Sequence, residues 1–414
     1  MREHRPETLG EQSLRARPRN QGRFRLSFRR RCGVYGPISL SSSEWIQRCE
    51  SLANIRGERA LTGVVALVRW STQPAMDISC KSWTARNPPR RILAIRLQAL
   101  GDVVITLPYL QCLRNSISLD ARLDLLTRKE VEEIPKNIDL FDHVYSIGGA
   151  RNLKLQLLSI CLLLPKLLMQ RYDVIIDLQN NILSRLVRRT LRPRAWSAFD
   201  RFSPRSAGER NRLTIEAVGL GKNQLDTRLR FRQSFPVTAL LKNIGLTDTD
   251  RLVVLNPAGA FATRNWEIHK YALFARQWLQ RWPDTKFLVL GTSFIAEKAL
   301  FLESELGEHL INLVGQTTPS EVFSLLQRVT LVLSEDSGLM HMAWVSGTPV
   351  VALFGSTRSD WSRPLGPHSL VLDSSDLPCG DCMQATCRRG DVFCLSRRSP
   401  EEVFARAVSL LDKS

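Results

Sequence analysis

Residues 329–356 read VTLVLSEDSGLMHMAWVSGTPVVALFGS, and the fold turns on their pattern. Residues 330–333 are an apolar, β-rich run, Glu335-Asp336-Ser337-Gly338 breaks it, residues 339–345 have helical spacing, and residues 349–354 are apolar again. The stretch therefore reads strand, tight turn, short helix, strand. Two buried parallel strands joined by a helix make a βαβ unit, whose ligand sits outside the carboxyl ends of the strands. Ser337 and Gly338 place free backbone N–H groups at a helix N-terminus, where the dipole favours an anion. His341 follows Ser337 by four residues, one helical turn on, so its imidazole falls on the same face. The same residues also read as an ordinary capped helix with Asp336 or Ser337 as N-cap, and the stretch alone does not choose between the two.

Upstream of this unit, strands and helices alternate from residue 252. An apolar run at 252–257 enters the small-residue loop AGAFATRNW at 258–266, where backbone can approach a ligand closely. Arg264 adds a fixed guanidinium able to fork onto a phosphate. Helices are expected at 267–282, 296–306 and 319–327, the last with Thr318 as N-cap, and strands at 286–290 and 311–314. Strict alternation argues for a doubly wound α/β domain over residues 251–414.

A second such domain is expected over residues 89–232. A strand at 91–97 runs into Gln98-Ala99-Leu100-Gly101-Asp102, with a helix entering at Val103. Gly101 suits a tight turn and close ligand approach; Asp102 reads either as an N-cap or as a general base at the mouth of a cleft. Further strands are expected at 122–126, 143–147 and 172–178, and a helix at 153–170. The last strand ends in the polar run Gln179-Asn180-Asn181, and the next helix carries Arg185, Arg188, Arg189 and Arg192. That basic face suits an acidic acceptor or simply solvent. Residues 201–250 hold few long apolar runs and read as a connection, with the linker proper at 233–250.

Charge is uneven along the chain. The 414 residues carry a formal net charge of +18; residues 1–90 hold 17 Lys and Arg against 7 Asp and Glu, and the remainder 41 against 33. Residues 1–88 are rich in Arg, Ser and Pro, have weak periodicity, and read as a disordered basic extension, with Met76 as a candidate start. They lack a nucleic-acid-binding motif, so no nucleic-acid partner is expected. The moderately basic remainder suits anionic substrates or an anionic membrane surface. No stretch of eighteen uninterrupted apolar residues occurs, so no membrane span is expected. Residues 155–169 come nearest and read as a buried or an interfacial helix.

Cys379, Cys382, Cys387 and Cys394 fall within sixteen residues, with one C-x-x-C pair. That spacing suits tetrahedral thiolate coordination of a structural zinc, against a redox-sensitive or merely structural thiol cluster. The other five cysteines are scattered, as in a reducing cytosol.

Five motifs occur in order: RLQALGDVVITLP at 96–108, YDVIIDLQNNILS at 172–184, NPAGAFATRNW at 256–266, DSGLMH at 336–341 and ALFGST at 352–357. Together they resemble the ADP-heptose:lipopolysaccharide heptosyltransferase family, glycosyltransferase family nine, over about residues 90–414. The four-cysteine segment resembles the heptosyltransferase II branch. The resemblance implies GT-B architecture: two Rossmann-like domains facing a cleft, the first binding acceptor and the second a nucleotide-sugar donor. Asp102 matches the family's proposed catalytic base. Asp336, Ser337, Gly338 and His341 match its D-[ST]-G-x-x-H diphosphate motif, and Arg264 its basic residue ahead of Trp.

Gly101, Gln179, Asn180, Ser184 and Arg185 fall on the acceptor side. Two positions depart from the family there. Asn180 replaces its usual Gly, and Leu183 its basic residue, with Arg185 as a substitute. The resemblance further implies an inverting transfer without a catalytic cofactor, a lipopolysaccharide core acceptor, and a cytoplasmic enzyme peripheral on the inner membrane. A protein or other glycan as acceptor, or an inactive sugar-nucleotide-binding protein, stay open. Asp248-Thr249-Asp250 looks like the D-x-D with which some sugar-transferring enzymes hold a cation, but without further ligands it reads as a turn.

Overall fold

The structure, a computed structural model, describes residues 78–414 except 151, 200–202, 204, 222–228, 230–236, 248 and 414. The expectations for residues 1–77, Met76 included, and for Asp248 lie outside the described residues. Asp250 does close a turn, its Oδ2 accepting from the Thr247 backbone N–H at 2.6 Å.

In chain order the first half comprises β1 (Ile78–Lys81), β2 (Arg91–Ile95), α1 (Leu100–Ser116), β3 (Arg122–Arg128), α2 (Glu133–Asn137), β4 (Val144–Ile147), α3 (Leu153–Gln170), β5 (Val174–Asp177), α4 (Ile182–Leu191), β6 (Ala195–Phe199) and α5 (Ala207–Glu216). The second comprises α6 (Val237–Asn243), β7 (Leu252–Asn256), α7 (Ile268–Arg281), β8 (Lys286–Val289), α8 (Ala296–Leu306), β9 (Leu310–Asn312), α9 (Pro319–Leu326), β10 (Leu331–Glu335), α10 (Gly338–Val345), β11 (Val350–Leu353), α11 (Ser359–Ser362), β12 (Ser369–Leu372), α12 (Phe393–Ser396) and α13 (Pro400–Leu411).

Each half is built on one six-stranded sheet. The second has order β12-β11-β10-β7-β8-β9 with every pairing parallel. Its central strands β7, β10 and β11 are buried along their whole length, which is why they read as unbroken apolar runs. The first has order β1-β6-β5-β2-β3-β4, parallel except for β1, which pairs antiparallel with β6. Strand order reverses between β2 and β5 in one sheet and between β7 and β10 in the other. Those switch points are where ligands gather in open α/β sheets.

Two boundaries differ from the sequence reading. β1 lies inside the stretch read as a disordered extension, and Ser82 and Trp83 after it bond the Ala217 and Val218 carbonyls at 2.8 and 2.7 Å. The expected connection contains α5 and α6; α5 buries mainly small or polar residues (Ala207, Gly208, Asn211, Thr214), so it leaves no apolar periodicity to find.

Helices cover both faces of both sheets. Trp266, Tyr271, Phe274 and Trp278 fill one side of the second sheet; Ile160, Leu167, Leu183 and Val187 cover one side of the first. A third buried cluster runs from α1 and the first sheet through Met340 and Trp344 of α10 to the second sheet, so the halves share apolar core. They also meet where Asn137 on α2 donates to Ser320 Oγ on α9 at 2.8 Å. Thr318 caps α9 as expected, in a reciprocal box with Glu321.

Candidate active site

The N-terminus of α10 forms one wall of the site. Ser337, not Asp336, is the N-cap: its Oγ accepts from the Met340 N–H at 3.4 Å and from Asn256 Nδ2 at 2.7 Å. Asn256 ends β7 and donates from the same Nδ2 to Ser334 Oγ at 2.7 Å, so side chains stitch the switch point together. The first-turn amides of α10, Gly338 among them, have no acceptor within the helix and lie at its positive end. Asp336 accepts from Thr357 Oγ1 at 2.8 Å and lies 3.2 Å from the Arg264 guanidinium. His341 is buried, and its Nδ1 has no hydrogen-bond partner among the described residues. Burial pushes its pKa below the ordinary histidine value, against the pull of Asp336 and Asp102, so the ring is neutral at neutral pH.

The loop carrying Arg264 hangs on a residue that the sequence disguises. Glu335 looks like part of a turn, yet it ends β10 completely buried. Its Oε2 accepts from the Gly259 N–H and its Oε1 from the Trp266 N–H, both at 2.6 Å, clamping the two ends of the loop. Desolvation pushes its pKa up to about 7, opposed by Lys298 and the two amides. Lys298 donates to Pro257 O at 2.7 Å and Asn265 Oδ1 at 3.0 Å, holding the same loop from α8. The loop closes so tightly that a Cβ at Gly259 would lie 2.5 Å from Arg264 O.

The facing wall belongs to the first half. α1 begins at Leu100, three residues earlier than expected, so Asp102 is not an N-cap; Ala99 holds that position and Asp102 lies in the first turn. Its Oδ1 accepts from Arg96 at 3.0 Å, and Oδ2 accepts no hydrogen bond from the described residues. Arg96 is buried and also donates to Leu178 O; burial lowers its pKa, and Asp102 is the largest opposing influence. Gly101 makes no turn. A Cβ there would lie 2.9 Å from His341 Cδ2 and 3.6 Å from Gly338 Cα, so glycine is what lets α1 abut α10.

Gly101, Asp102, Arg264, Asp336, Ser337, Gly338 and His341 thus line one cleft of about 490 Å³. Arg210, Arg358, Trp361 and Met383 join them, none singled out in the sequence; the signal lay in neighbouring motifs, since Arg358 directly follows the one at 352–357 and Met383 lies among the four cysteines. A second, largely apolar cavity of about 350 Å³ adjoins it, sharing Leu100, Ala258, Ser337 and Gly338 and reaching Phe294, Ile295 and Met342. The cleft offers an anion site on one wall and an accessible carboxylate on the other.

The remaining expected acceptor-side residues do not line that cleft. Gln179 is buried and accepts from the Leu97 N–H at 3.1 Å, joining β5 to β2 at the switch point. Asn180 has φ +46°, left-handed backbone that Gly and Asn adopt most readily, so the departure from glycine preserves the turn. Ser184 completes a capping box with Asn181, and Arg185 folds back on the Asn181 carbonyl at 3.3 Å. Leu183 is buried on the sheet, where a charged side chain would be costly.

The four cysteines form no disulfide, and among the described residues no three His, Cys, Asp or Glu side chains gather to hold a metal ion. Cys387 Sγ faces Asp391 at 4.0 Å and Cys394 Sγ faces the Val392 carbonyl at 3.7 Å. The expected structural zinc finds no assembled ligand set here.

Two Rossmann-like sheets facing each other across such a cleft define GT-B architecture. A family model described as glycosyltransferase family 9 (heptosyltransferase) matches residues 161–392, and the chain belongs to that family. Lipooligosaccharide heptosyltransferase 2 of Campylobacter jejuni is 28% identical over 195 residues, 46% of this chain and 58% of the relative. The chain therefore spans little more than half the length of that relative. A glycosyltransferase family 9 structure from Veillonella parvula superposes with a TM-score of 0.68 at 20% identity, covering 78% of this chain and 98% of that one. The E. coli heptosyltransferase WaaC, solved with ADP-2-deoxy-2-fluoro heptose, gives 0.57 at 17% identity, covering 77% and 99%. At these identities the structural likenesses establish the architecture alone.

Proposed function

We propose that this chain is an inverting heptosyltransferase that moves a heptose from ADP-heptose to a lipopolysaccharide core acceptor. The observation that carries the reading is the placing of Asp102 and the N-terminus of α10 on opposite walls of one cleft. The lipooligosaccharide relative and the neighbour solved with an ADP-fluoroheptose support the donor and acceptor classes.

In this reading the diphosphate lies on the first-turn amides of α10 with Arg264 at its side. The adenine enters the apolar cavity beside it, and the heptose points towards Asp102. Asp102 Oδ2 takes the proton of the acceptor hydroxyl as its oxygen bonds to the anomeric carbon, a contribution of about 10²–10⁴-fold. The bond from that carbon to the diphosphate breaks, and ADP leaves with the bonding pair. Arg264 and the amides stabilise the charge, each well-placed donor contributing a few kcal/mol. Arg96 fixes the carboxylate. Among the described residues the other acid lining the cleft, Asp336, is committed to Thr357 and Arg264, leaving one carboxylate for a single displacement, which inverts the anomeric carbon. Arg210 lines the cleft on the side facing an anionic core sugar, while Arg358, also on its edge, is held by the Asp360 carboxylate.

No metal enters this scheme. Transfer from ADP-heptose to an extracted lipid core, followed by mass spectrometry with and without EDTA, tests it; equal turnover in both supports the scheme, and turnover only with UDP- or GDP-sugars refutes the donor. Asn180 keeps the backbone conformation of the family's glycine, whereas Leu183 leaves the second departure in place, so a protein or other glycan stays the alternative acceptor. In this reading the enzyme meets its lipid-linked acceptor at the cytoplasmic face of the inner membrane.

A further inference from the structure

The first half carries a surface that sugar transfer leaves unused. α3 has 18 residues and a mean hydropathy of 1.4, long and apolar enough to cross a membrane by length and composition. It nevertheless lies on the sheet, with Ile160 and Leu167 buried against it. Its outward side is apolar as well. Leu155, Leu158, Leu162 and Met169 are 52, 57, 75 and 71% exposed and, spaced by three, four and seven residues, form one stripe. A helix apolar all round is normally covered on every side, and this one is not. α4 packs beside α3 and extends the patch with Ile182 and Leu186, 65 and 37% exposed.

The charges around the patch have one sign. No Asp or Glu occurs between Asp142 and Asp173, or between Asp177 and Asp200. Lys154 and Lys166 flank the leucine stripe on either side, and the exposed Arg185, Arg189 and Arg192 stand among the apolar residues of α4. Arg188 turns inward onto the Trp196 ring, 4.0 Å from its centroid, so the outer face keeps the other three. A second copy of this chain would set these cations against themselves. A plane of lipid phosphates neutralises all of them at once, while the acyl boundary below it receives the leucines.

We propose that the outer faces of α3 and α4 are the surface by which this protein lies on an anionic phospholipid bilayer. The proposal deepens the reading of a lipid-linked acceptor and is measured without any sugar, so the two fail separately. The test is flotation of the full chain with vesicles of phosphatidylglycerol and phosphatidylcholine, and of phosphatidylcholine alone. The wild type should float with the anionic vesicles only. Leu158→Gln/Leu162→Gln should lower partitioning by at least about tenfold, since each exposed leucine loses its share of acyl burial. Arg189→Gln/Arg192→Gln should lower it by about fivefold per cation in low salt and less in high salt. Both variants should keep the wild-type melting temperature and transfer to a water-soluble acceptor, because the altered side chains are exposed. The proposal is overturned if the wild type does not float, if both variants float like it, or if sedimentation shows a self-associated wild type that the leucine variant makes monomeric.

Discussion

Gly101→Ala tests how the cleft is assembled. The new methyl would lie 2.9 Å from His341 Cδ2 and 3.7 Å from His341 Nε2, and the buried imidazole has α10 behind it. Overpacking of this kind costs about 1–3 kcal/mol. The substitution also replaces a helical glycine, which alone stabilises by about 1 kcal/mol. The net effect should be a destabilisation of about 0–2 kcal/mol, with weaker ADP binding because the imidazole must shift. The sharper readout is the double-mutant cycle. In a His341→Ala background the methyl enters vacated space, so Gly101→Ala should change sign and stabilise by about 1 kcal/mol, a coupling of about 1–3 kcal/mol. Urea unfolding of the four proteins measures this. Equal effects of Gly101→Ala in both backgrounds would show that close approach of α1 to α10 is not what the glycine provides.

Three further outcomes are expected. Glu335 keeps its proton in the folded state up to about pH 7, whereas the unfolded chain releases it near 4.5, so folding binds a proton in that window and stability falls as pH rises through it. Calorimetry from pH 4.5 to 7 should show the wild type losing up to ~3 kcal/mol relative to Glu335→Gln; parallel profiles would exclude the buried acid. Arg264→Ala should raise the Kd for ADP about ten- to a hundredfold by calorimetric titration, the worth of a charged hydrogen bond; an unchanged Kd removes Arg264 from the donor site. Asn180→Gly should leave stability nearly unchanged while Asn180→Val costs about 1–2 kcal/mol, since only the latter opposes the left-handed backbone; equal melting temperatures would contradict that reading.

The α10 wall of the cleft was legible because its parts are local. β10, α10 and β11 follow within two dozen residues, their strands are buried on both faces and so read as apolar runs, and Ser337, Gly338 and His341 share one turn of one helix. α3 was legible to the residue, since Asn152 caps it and Arg171 ends it. What the helix does was not legible, because its two apolar faces look alike in sequence and only packing separates the buried one from the bare one. The facing wall was harder. Asp102 stood out beside a glycine, but the reason for Gly101 lies in α10, more than two hundred residues away. Gln179, Ser184 and Arg185 were placed on the acceptor side by the family resemblance alone; here they shape the turn and the start of α4. Glu335 and Arg96 were passed over because a charge at a strand end normally faces water, and only the folded chain shows both buried. β6 is interrupted by Ser197, β12 is only half-buried, and α5 is too polar, so none leaves a clear apolar pattern.

In the proposed function Asp102 activates the acceptor across the cleft from an independently formed donor site. Asp102→Asn tests it most directly, with ADP-heptose binding measured by calorimetry and transfer to the lipid core by mass spectrometry on the same preparations. Donor affinity should stay within about twofold of wild type while turnover falls about 10²–10⁴-fold. Wild-type turnover in the Asn variant, or loss of donor binding together with turnover, would contradict it.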